Sequence, residues 1–328
     1  MEDSKQEKYK DPFRATLTGI MDLFKKQVPV GSLSDSDRLD GKTVVVDGAS
    51  SGLGFAIAVE VAKRGAKTVM LCRSGIPAKG EEVKKFSGSS DVHMLHVDFS
   101  DIRSVEKVSS ELRARFAPIS ILISNAGVVP GKGRKTPQGL EEMFVVNYFS
   151  KFCYVNNLLE NGSLVPGQGS DIPRIIFVSS ESHRNPAAIN WDDFGKFTPY
   201  GMKQSMEHYG HNKLLLTTFA VELSRRLNPN GKVNYSVFAL CPGPVNSNIA
   251  RESPKVFQPL LKLVFRMFFR SPKEASAPVL YFSASQDVAG KAFDYLFLMN
   301  RKNVDDKALD AENGKKLWEM SSALRKKM

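Results

Sequence analysis

Tyr209 and Lys213 stand four residues apart in the run YGHNK. In a helix that spacing puts both side chains on one face. An ammonium beside a phenol favours the phenolate, so the pairing is expected to lower the tyrosine pKa from about 10 towards working pH. Such a pair is a proton donor and acceptor suited to alcohol and ketone chemistry. Of the eight tyrosines only Tyr209 has a lysine at i+4. Helices facing solvent carry the same pairing without any function. Ser179 and Ser180 end an apolar run, RIIFVS, where a strand end would meet a ligand. A serine there is equally a turn former.

A second feature lies upstream. Gly48, Gly52 and Gly54, in DGASSGLG, have the spacing G-x3-G-x-G. Glycine allows the tight turn and lets a pyrophosphate approach the backbone. The helix opening near Leu53 would aim unpaired N–H groups and a positive dipole end at that phosphate. The position of the triplet between a strand and a helix predicts a dinucleotide site. Arg73, in LCRS, stands where such folds often carry an acidic residue on the ribose, and no Asp or Glu follows until Glu81. An arginine there suits a 2′-phosphate, or is simply solvated at a strand end. Asp98 could accept from an adenine amino group, or cap the next helix with Ser100 or Asp101.

These residues need a frame. From Thr43 onward short apolar runs alternate with helical patterns. Strands are expected at Thr43–Asp47, Thr68–Cys72, Val92–Val97, Ile119–Ser124, Arg174–Ser179 and Val233–Leu240. Helices are expected from the glycine turn to about Arg64, and over about Ser104–Phe116, Pro137–Glu160 and Ser205–Leu227. The strands are continuously apolar, so both faces are buried. The fold class is α/β: one doubly wound parallel sheet of Rossmann type, helices on both faces, ligands beyond the C-terminal strand ends. Residues 1–40 form an N-terminal extension in which Phe13, Leu17, Ile20, Met21, Phe24 and Val28 share a helical face. Residues 41–303 form the catalytic domain, and 304–328 a charged helical tail anchored by Leu317, Trp318, Met320 and Leu324.

Composition narrows the class. The chain has 328 residues, 42% hydrophobic and 25% charged, which is ordinary for a globular protein. Three scattered cysteines, Cys72, Cys153 and Cys241, make neither a disulfide framework nor a metal cluster. They read as reduced thiols of an intracellular protein. No apolar run approaches the roughly 18–20 residues of a membrane span, and the polar first dozen residues hold no secretory signal. The net charge of +11 admits an anionic cofactor or membrane. Nucleic acid is not expected, because no recognition motif accompanies the charge.

Together the motifs resemble the short-chain dehydrogenase/reductase family. DGASSGLG is similar to its glycine motif, SNAG (Ser124–Gly127) to N-N-A-G, VSS to its serine, YGHNK to Y-x-x-x-K, and PGPVNS (Pro242–Ser247) to P-G-x-V-x-T. They follow family order over about residues 42–300. SSESH (Ser179–His183) and KKLWEMS narrow the resemblance to the retinol-dehydrogenase-like branch, which acts on lipophilic alcohols, aldehydes and ketones.

The resemblance implies roles. Ser180 would hydrogen-bond the substrate oxygen and Tyr209 would transfer its proton. Lys213 would bind the nicotinamide ribose and tune Tyr209. Asn147 matches the helix asparagine that holds a proton-relay water. Gly48, Ser50, Ser51, Gly52, Leu53, Gly54, Arg73 and Asp98 would hold the phosphate and adenosine end of the cofactor. Asn125, Ala126 and Gly127 would brace the sheet against it, with Pro242, Gly243, Val245 and Ser247 near the nicotinamide. Arg73 makes NADP(H) the expected cofactor, with NAD(H) as the alternative. Three departures stand out. Asp47 replaces the threonine before the first glycine, Ser124 replaces the first asparagine of N-N-A-G, and Asn212 replaces the serine of Y-x-x-S-K. A carboxylate near pyrophosphate should weaken binding unless it points away or is neutralised. A dinucleotide-sensing protein without useful turnover is therefore the alternative reading.

Phe257–Arg270 reads FQPLLKLVFRMFFR. Lys262, Arg266 and Arg270 recur every four residues on an otherwise apolar helix, the pattern of an interfacial helix at an anionic membrane. The same residues suit a substrate lid over about 247–273, and a lipophilic substrate could enter through it. The expected location is the cytoplasm or the cytoplasmic face of a membrane.

Overall fold

Val44, Val45 and Val46 are wholly buried in strand β1 (Thr43–Asp47), because helices cover both faces of the sheet it belongs to. A computed structural model describes residues 30–245 and 270–328. The expected N-terminal apolar face (Phe13 to Val28), Ser247 and residues 257–269 lie outside them. The other strands are β2 (Lys67–Cys72), β3 (Val92–His96), β4 (Ile121–Ser124), β5 (Arg174–Val178), β6 (Ser236–Cys241), β7 (Phe293–Phe297) and β8 (Asn300–Arg301). Their order is β3-β2-β1-β4-β5-β6-β7-β8, and every pairing is parallel except β7 with β8. The order reverses between β1 and β4, which opens a crevice at their C-terminal ends.

Alternate residues of each strand face opposite sides. Val45, Leu122, Ile175 and Val237 point into one apolar layer. Val44, Val46, Ile123, Ile176 and Phe238 point into the other. The second layer holds helix α1 (Gly52–Lys63) and helix α6 (Pro272–Ala284), with α2 (Ala78–Ser87) beside α1. The first layer holds α3 (Ile102–Phe116), α4 and α5 (Met202–Leu227). Helix α4 runs through Glu142–Phe144, a π turn at Val145–Phe149 and Ser150–Glu160.

Local hydrogen bonding moves several expected boundaries. Helix α4 starts at Glu142 rather than Pro137 because the Glu141 carboxylate accepts from Met143 N (3.0 Å) and Phe144 N (2.6 Å). Asp101 caps α3 by accepting from Arg103 N, two residues ahead of the expected start. Strand β6 begins at Ser236 rather than Val233, since Asn228 Oδ1 takes the N–H groups of Asn234 and Tyr235. The sequence pattern predicts none of four elements: β7, β8, α2 and α6.

The tail folds as α7 (Asp306–Leu309) and α8 (Ala311–Arg325) against α4 and α5. Leu317 is buried, Trp318 meets Phe152 edge-on at 5.2 Å, and Tyr148 Oη lies 2.5 Å from Ser321 Oγ. Among the described residues no helix is long and apolar enough to cross a membrane.

Candidate active site

The first crevice wall is the turn after β1. Gly48 has φ 63° and Gly52 φ 56°, a left-handed region that disfavours other residues. A Cβ on Gly54 would lie 2.3 Å from Gly48 O. Only glycine lets the turn and α1 approach so closely. Leu53 is buried beneath them, and Ser51, the N-cap of α1, makes no side-chain cap. The first turn of α1 holds no acidic residue. Its uncapped N–H groups and positive dipole end are therefore left to an external anion. Beside them lies a cavity of about 440 Å³ lined by Ser50, Ser51, Gly52, Phe55, Ser74, Gly75 and Lys79. The uncapped donors and the cavity fit the phosphate and ribose of a dinucleotide, while Lys79 Nζ is held by both Glu82 carboxylate oxygens at 2.8 Å. Phe55, Ser74, Gly75 and Lys79 carry no motif, and only the folding of β2 towards the glycine turn reveals them.

Asp47 does not face that phosphate site. Its Oδ1 accepts from Asn125 N at 2.7 Å and from Ala126 N. Its Oδ2 lies 3.0 Å from Lys151 Nζ, and both side chains are excluded from solvent. Asn125 Nδ2 returns a bond to Asp47 O at 3.1 Å. The carboxylate points inward and is neutralised, which is the condition under which it does no harm to an anion. Lys151 also sits 3.5 Å from the Phe99 ring centre. Burial still pushes its ammonium below the usual lysine range, against the pull of Asp47. Sequence inspection missed Lys151, which is 104 residues from its partner. Of the other departures, Ser124 is buried with an unpartnered hydroxyl and Asn212 is buried.

Arg73 is exposed at the end of β2. Its charge acts on Glu142, so a carboxylate remote in sequence stands near it in space. Asp98 Oδ1 accepts from Ser100 N (2.9 Å) and Ser100 Oγ (2.7 Å), a local turn, while Asp101 caps α3.

The far end of the crevice brings the four expected catalytic side chains together. Ser180 follows β5 and opens a short 3-10 turn, Glu181–Arg184. Its Oγ donates to Ser182 Oγ at 3.1 Å, and it is hydrogen-bonded to the Tyr209 hydroxyl. Neighbouring Ser179 turns the other way, onto Thr217 Oγ1 at 2.7 Å. Tyr209 and Lys213 share one face of α5, with Lys213 Nζ 5.6 Å from the tyrosine ring centre. Lys213 Nζ donates to Val178 O at 2.8 Å. Gly127 sits against both Asn147 and Lys213: a Cβ there would be 3.3 Å from Asn147 Oδ1 and 3.9 Å from Lys213 Nζ. Asn147 lies in the π turn, where its side chain pairs with Val128 N (2.8 Å) and Val128 O (2.9 Å). Such turns leave a helix carbonyl without its usual partner. Pro242, Gly243 and Val245 follow the C-terminal end of β6, and Gly243 has φ 78°.

The electrostatics correct one expectation. Burial raises the Tyr209 phenol well above 10, the Cys241 thiol adds to the rise, and the Ser180 hydrogen bond only partly opposes it. Lys213 spends a donor on Val178 O and does not offset the desolvation. Its own ammonium is pushed down to about 8, by burial first and by the charge of Lys151 second. The phenol is therefore held as a proton donor.

A family model for short chain dehydrogenases matches residues 42–191. Human retinol dehydrogenase 14 is 31% identical over 308 residues, covering 88% of each chain. The chain belongs to the short-chain dehydrogenase family. Within it the relatives are retinol and short-chain dehydrogenase-like enzymes, so the chemistry is that of an NAD(P)-dependent oxidoreductase. A solved, uncharacterized protein from Mycobacterium Paratuberculosis superposes with TM-score 0.67 at 28% identity, over 90% of this chain and 98% of that one. The Pseudomonas aeruginosa RhlG/NADP complex shares the fold with TM-score 0.61 at 19% identity, over 81% and 98%.

Proposed function

We propose that this short-chain dehydrogenase interconverts lipophilic alcohols with their aldehydes or ketones, with NADP(H) preferred over NAD(H). The observation that carries the reading is the convergence of Ser180, Tyr209 and Lys213 beside Gly127 and the π turn. The nicotinamide, when bound, accepts or supplies the hydride. Ser180 holds the substrate oxygen; the Tyr209 phenol gives that oxygen its proton in reduction, and in oxidation its phenolate form takes the alcohol proton. Asn147 keeps the π turn in register through Val128, so the turn can hold the water that returns the proton. Lys213, buried at the base of the site, binds the nicotinamide ribose.

Lipophilic substrates are favoured by the retinol dehydrogenases among the relatives, and by Met202 and Met206. These lie one turn apart on α5, just ahead of Tyr209, and are exposed. Preference for NADP(H) is supported by Arg73, exposed just past the end of β2. Residues 257–270 are proposed to contact an anionic membrane surface from which such substrates come. The non-catalytic alternative drew its motive from Asp47, whose carboxylate is turned onto Lys151. A panel of retinoid, steroid and aliphatic alcohols and carbonyls, assayed with both cofactors, tests the reading. Turnover should concentrate on lipophilic members with NADPH or NADP⁺. No turnover on any member, by a protein that binds the cofactor, would return the assignment to the sensing alternative.

A further inference from the structure

His183 has no solvent exposure and belongs to the turn that Ser180 opens. Its Nδ1 lies 2.6 Å from Ser180 O. Its Nε2 lies 3.2 Å from Asp305 N, where the C-terminal tail begins. Both partners are backbone groups of fixed polarity. Asp305 N–H can only donate, so Nε2 accepts. Ser180 O can only accept, so Nδ1 carries the proton. The imidazole is thus one neutral tautomer bridging the serine turn and the tail, and Tyr295 packs edge-on against it at 5.6 Å.

The residues around it brace the same two segments. Glu181 accepts from Tyr295 Oη at 2.8 Å, from Lys302 Nζ and from Arg184 Nε at 3.0 Å. Arg184 Nη2 donates to Asn303 O. Four links therefore run from residues 181–184 to residues 295–305. Ser180 contributes only its own backbone to this brace, through His183.

We propose that His183 is a positioning residue, which fixes the Ser180 backbone against the C-terminal segment and thereby aims the serine hydroxyl at the substrate oxygen. It touches neither substrate nor cofactor. The proposal rests on the role given to Ser180. A hydroxyl misplaced by about 1 Å can cost on the order of 10²-fold in rate. The tail is then part of the catalytic apparatus, although it holds no reacting group.

Three variants of the full chain separate the bonds. His183→Asn places an amide donor near the Nδ1 position and keeps the bond to Ser180 O. His183→Gln reaches the Nε2 position and keeps, of the two side-chain bonds, only that to Asp305 N. His183→Ala loses both side-chain bonds. The backbone N–H of residue 183, which donates to Ser180 O at 3.1 Å, is kept in every variant. The proposal expects kcat to fall by roughly 10–100-fold in His183→Ala and His183→Gln. It expects most of the rate to return in His183→Asn, with NADPH affinity unchanged in all three. In a Ser180→Ala background the His183 variants should cost no further rate. Equal kcat in folded His183→Ala and wild type, or equal losses in the Asn and Gln variants, would overturn it. Nitrogen-15 NMR of the wild-type ring gives a readout that needs no turnover. A proton on Nδ1 at neutral pH supports the clamp even if no substrate is found, and a proton on Nε2 contradicts it even if the enzyme is active.

Discussion

The Asp47 carboxylate meets the Lys151 ammonium at 3.0 Å with neither side chain exposed to solvent. The pair joins the end of β1 to α4, and through Asn125 and Ala126 to the end of β4. Removing one partner leaves a buried charge alone, which costs about 3–5 kcal/mol, whereas replacing both can be nearly neutral. Lys151→Met should therefore lower unfolding free energy by that amount in urea titrations. Asp47→Asn combined with Lys151→Met should recover most of it. Strictly additive losses would show that the two side chains do not act as a pair.

Two histidines, His183 buried and His211 half-buried, contribute to the response to acid. His183 and His211 are each pushed down to about 4, by burial first, and each accepts a backbone N–H at Nε2. In the unfolded chain they titrate near 6.5. Between about 4 and 6.5 the unfolded chain binds more protons, so stability falls as pH falls. Each histidine contributes a slope of up to about 1.4 kcal/mol per pH unit in that window. Denaturant midpoints at pH 7 and pH 5 measure it, and equal stability at the two would contradict the assignment of both rings as neutral in the folded chain.

How far the sequence discloses this protein depends on where each signal is stored. Strands β1, β2 and β5 are continuous apolar runs, so their burial is written in neighbouring residues. Strand β7 hides because Asp294 interrupts its short run and its first two residues are half-exposed. Helix α2 buries only Gly80 and Val83, too few for a periodic stripe. Helix α6 carries Pro278 in its interior, yet Ser271 and Glu274 form a capping box that the sequence does contain. The glycine turn and the Tyr209–Lys213 face are local patterns and were legible. The turning of Asp47 onto Lys151 and the linking of His183 to Asp305 span more than a hundred residues, and no local pattern encodes them. For the same reason the Tyr209 shift runs opposite to the one its i+4 lysine implies. Sequence shows the lysine at i+4, but not the burial or the Val178 carbonyl that occupies it.

Arg73 tests cofactor choice. If it holds the 2′-phosphate, Arg73→Ala should weaken NADPH binding by about 1.5–3 kcal/mol, as for a charged hydrogen bond, and leave NADH binding nearly unchanged. Nucleotide fluorescence titrations give both numbers. Equal losses for the two cofactors would remove Arg73 from that role.

Membrane contact is tested by sedimentation with vesicles. Phe257, Leu261, Val264, Phe265, Phe268 and Phe269 are expected to enter the acyl boundary, with Lys262, Arg266 and Arg270 at the headgroups. Each basic residue contributes about 1 kcal/mol near an anionic surface, so binding should weaken with salt. Lys262→Glu with Arg266→Glu should release the protein from anionic vesicles. Variants that bind as well as wild type would leave the segment only the role of a lid.

The central claim is that the Tyr209 phenol moves the proton of an alcohol–carbonyl interconversion. Tyr209→Phe keeps the ring and removes the hydroxyl. Its single-turnover rate with bound NADPH and a lipophilic carbonyl should fall by at least about 10²–10⁴-fold, with cofactor affinity and folding preserved. A folded Tyr209→Phe variant that reacts at close to the wild-type rate would contradict the account.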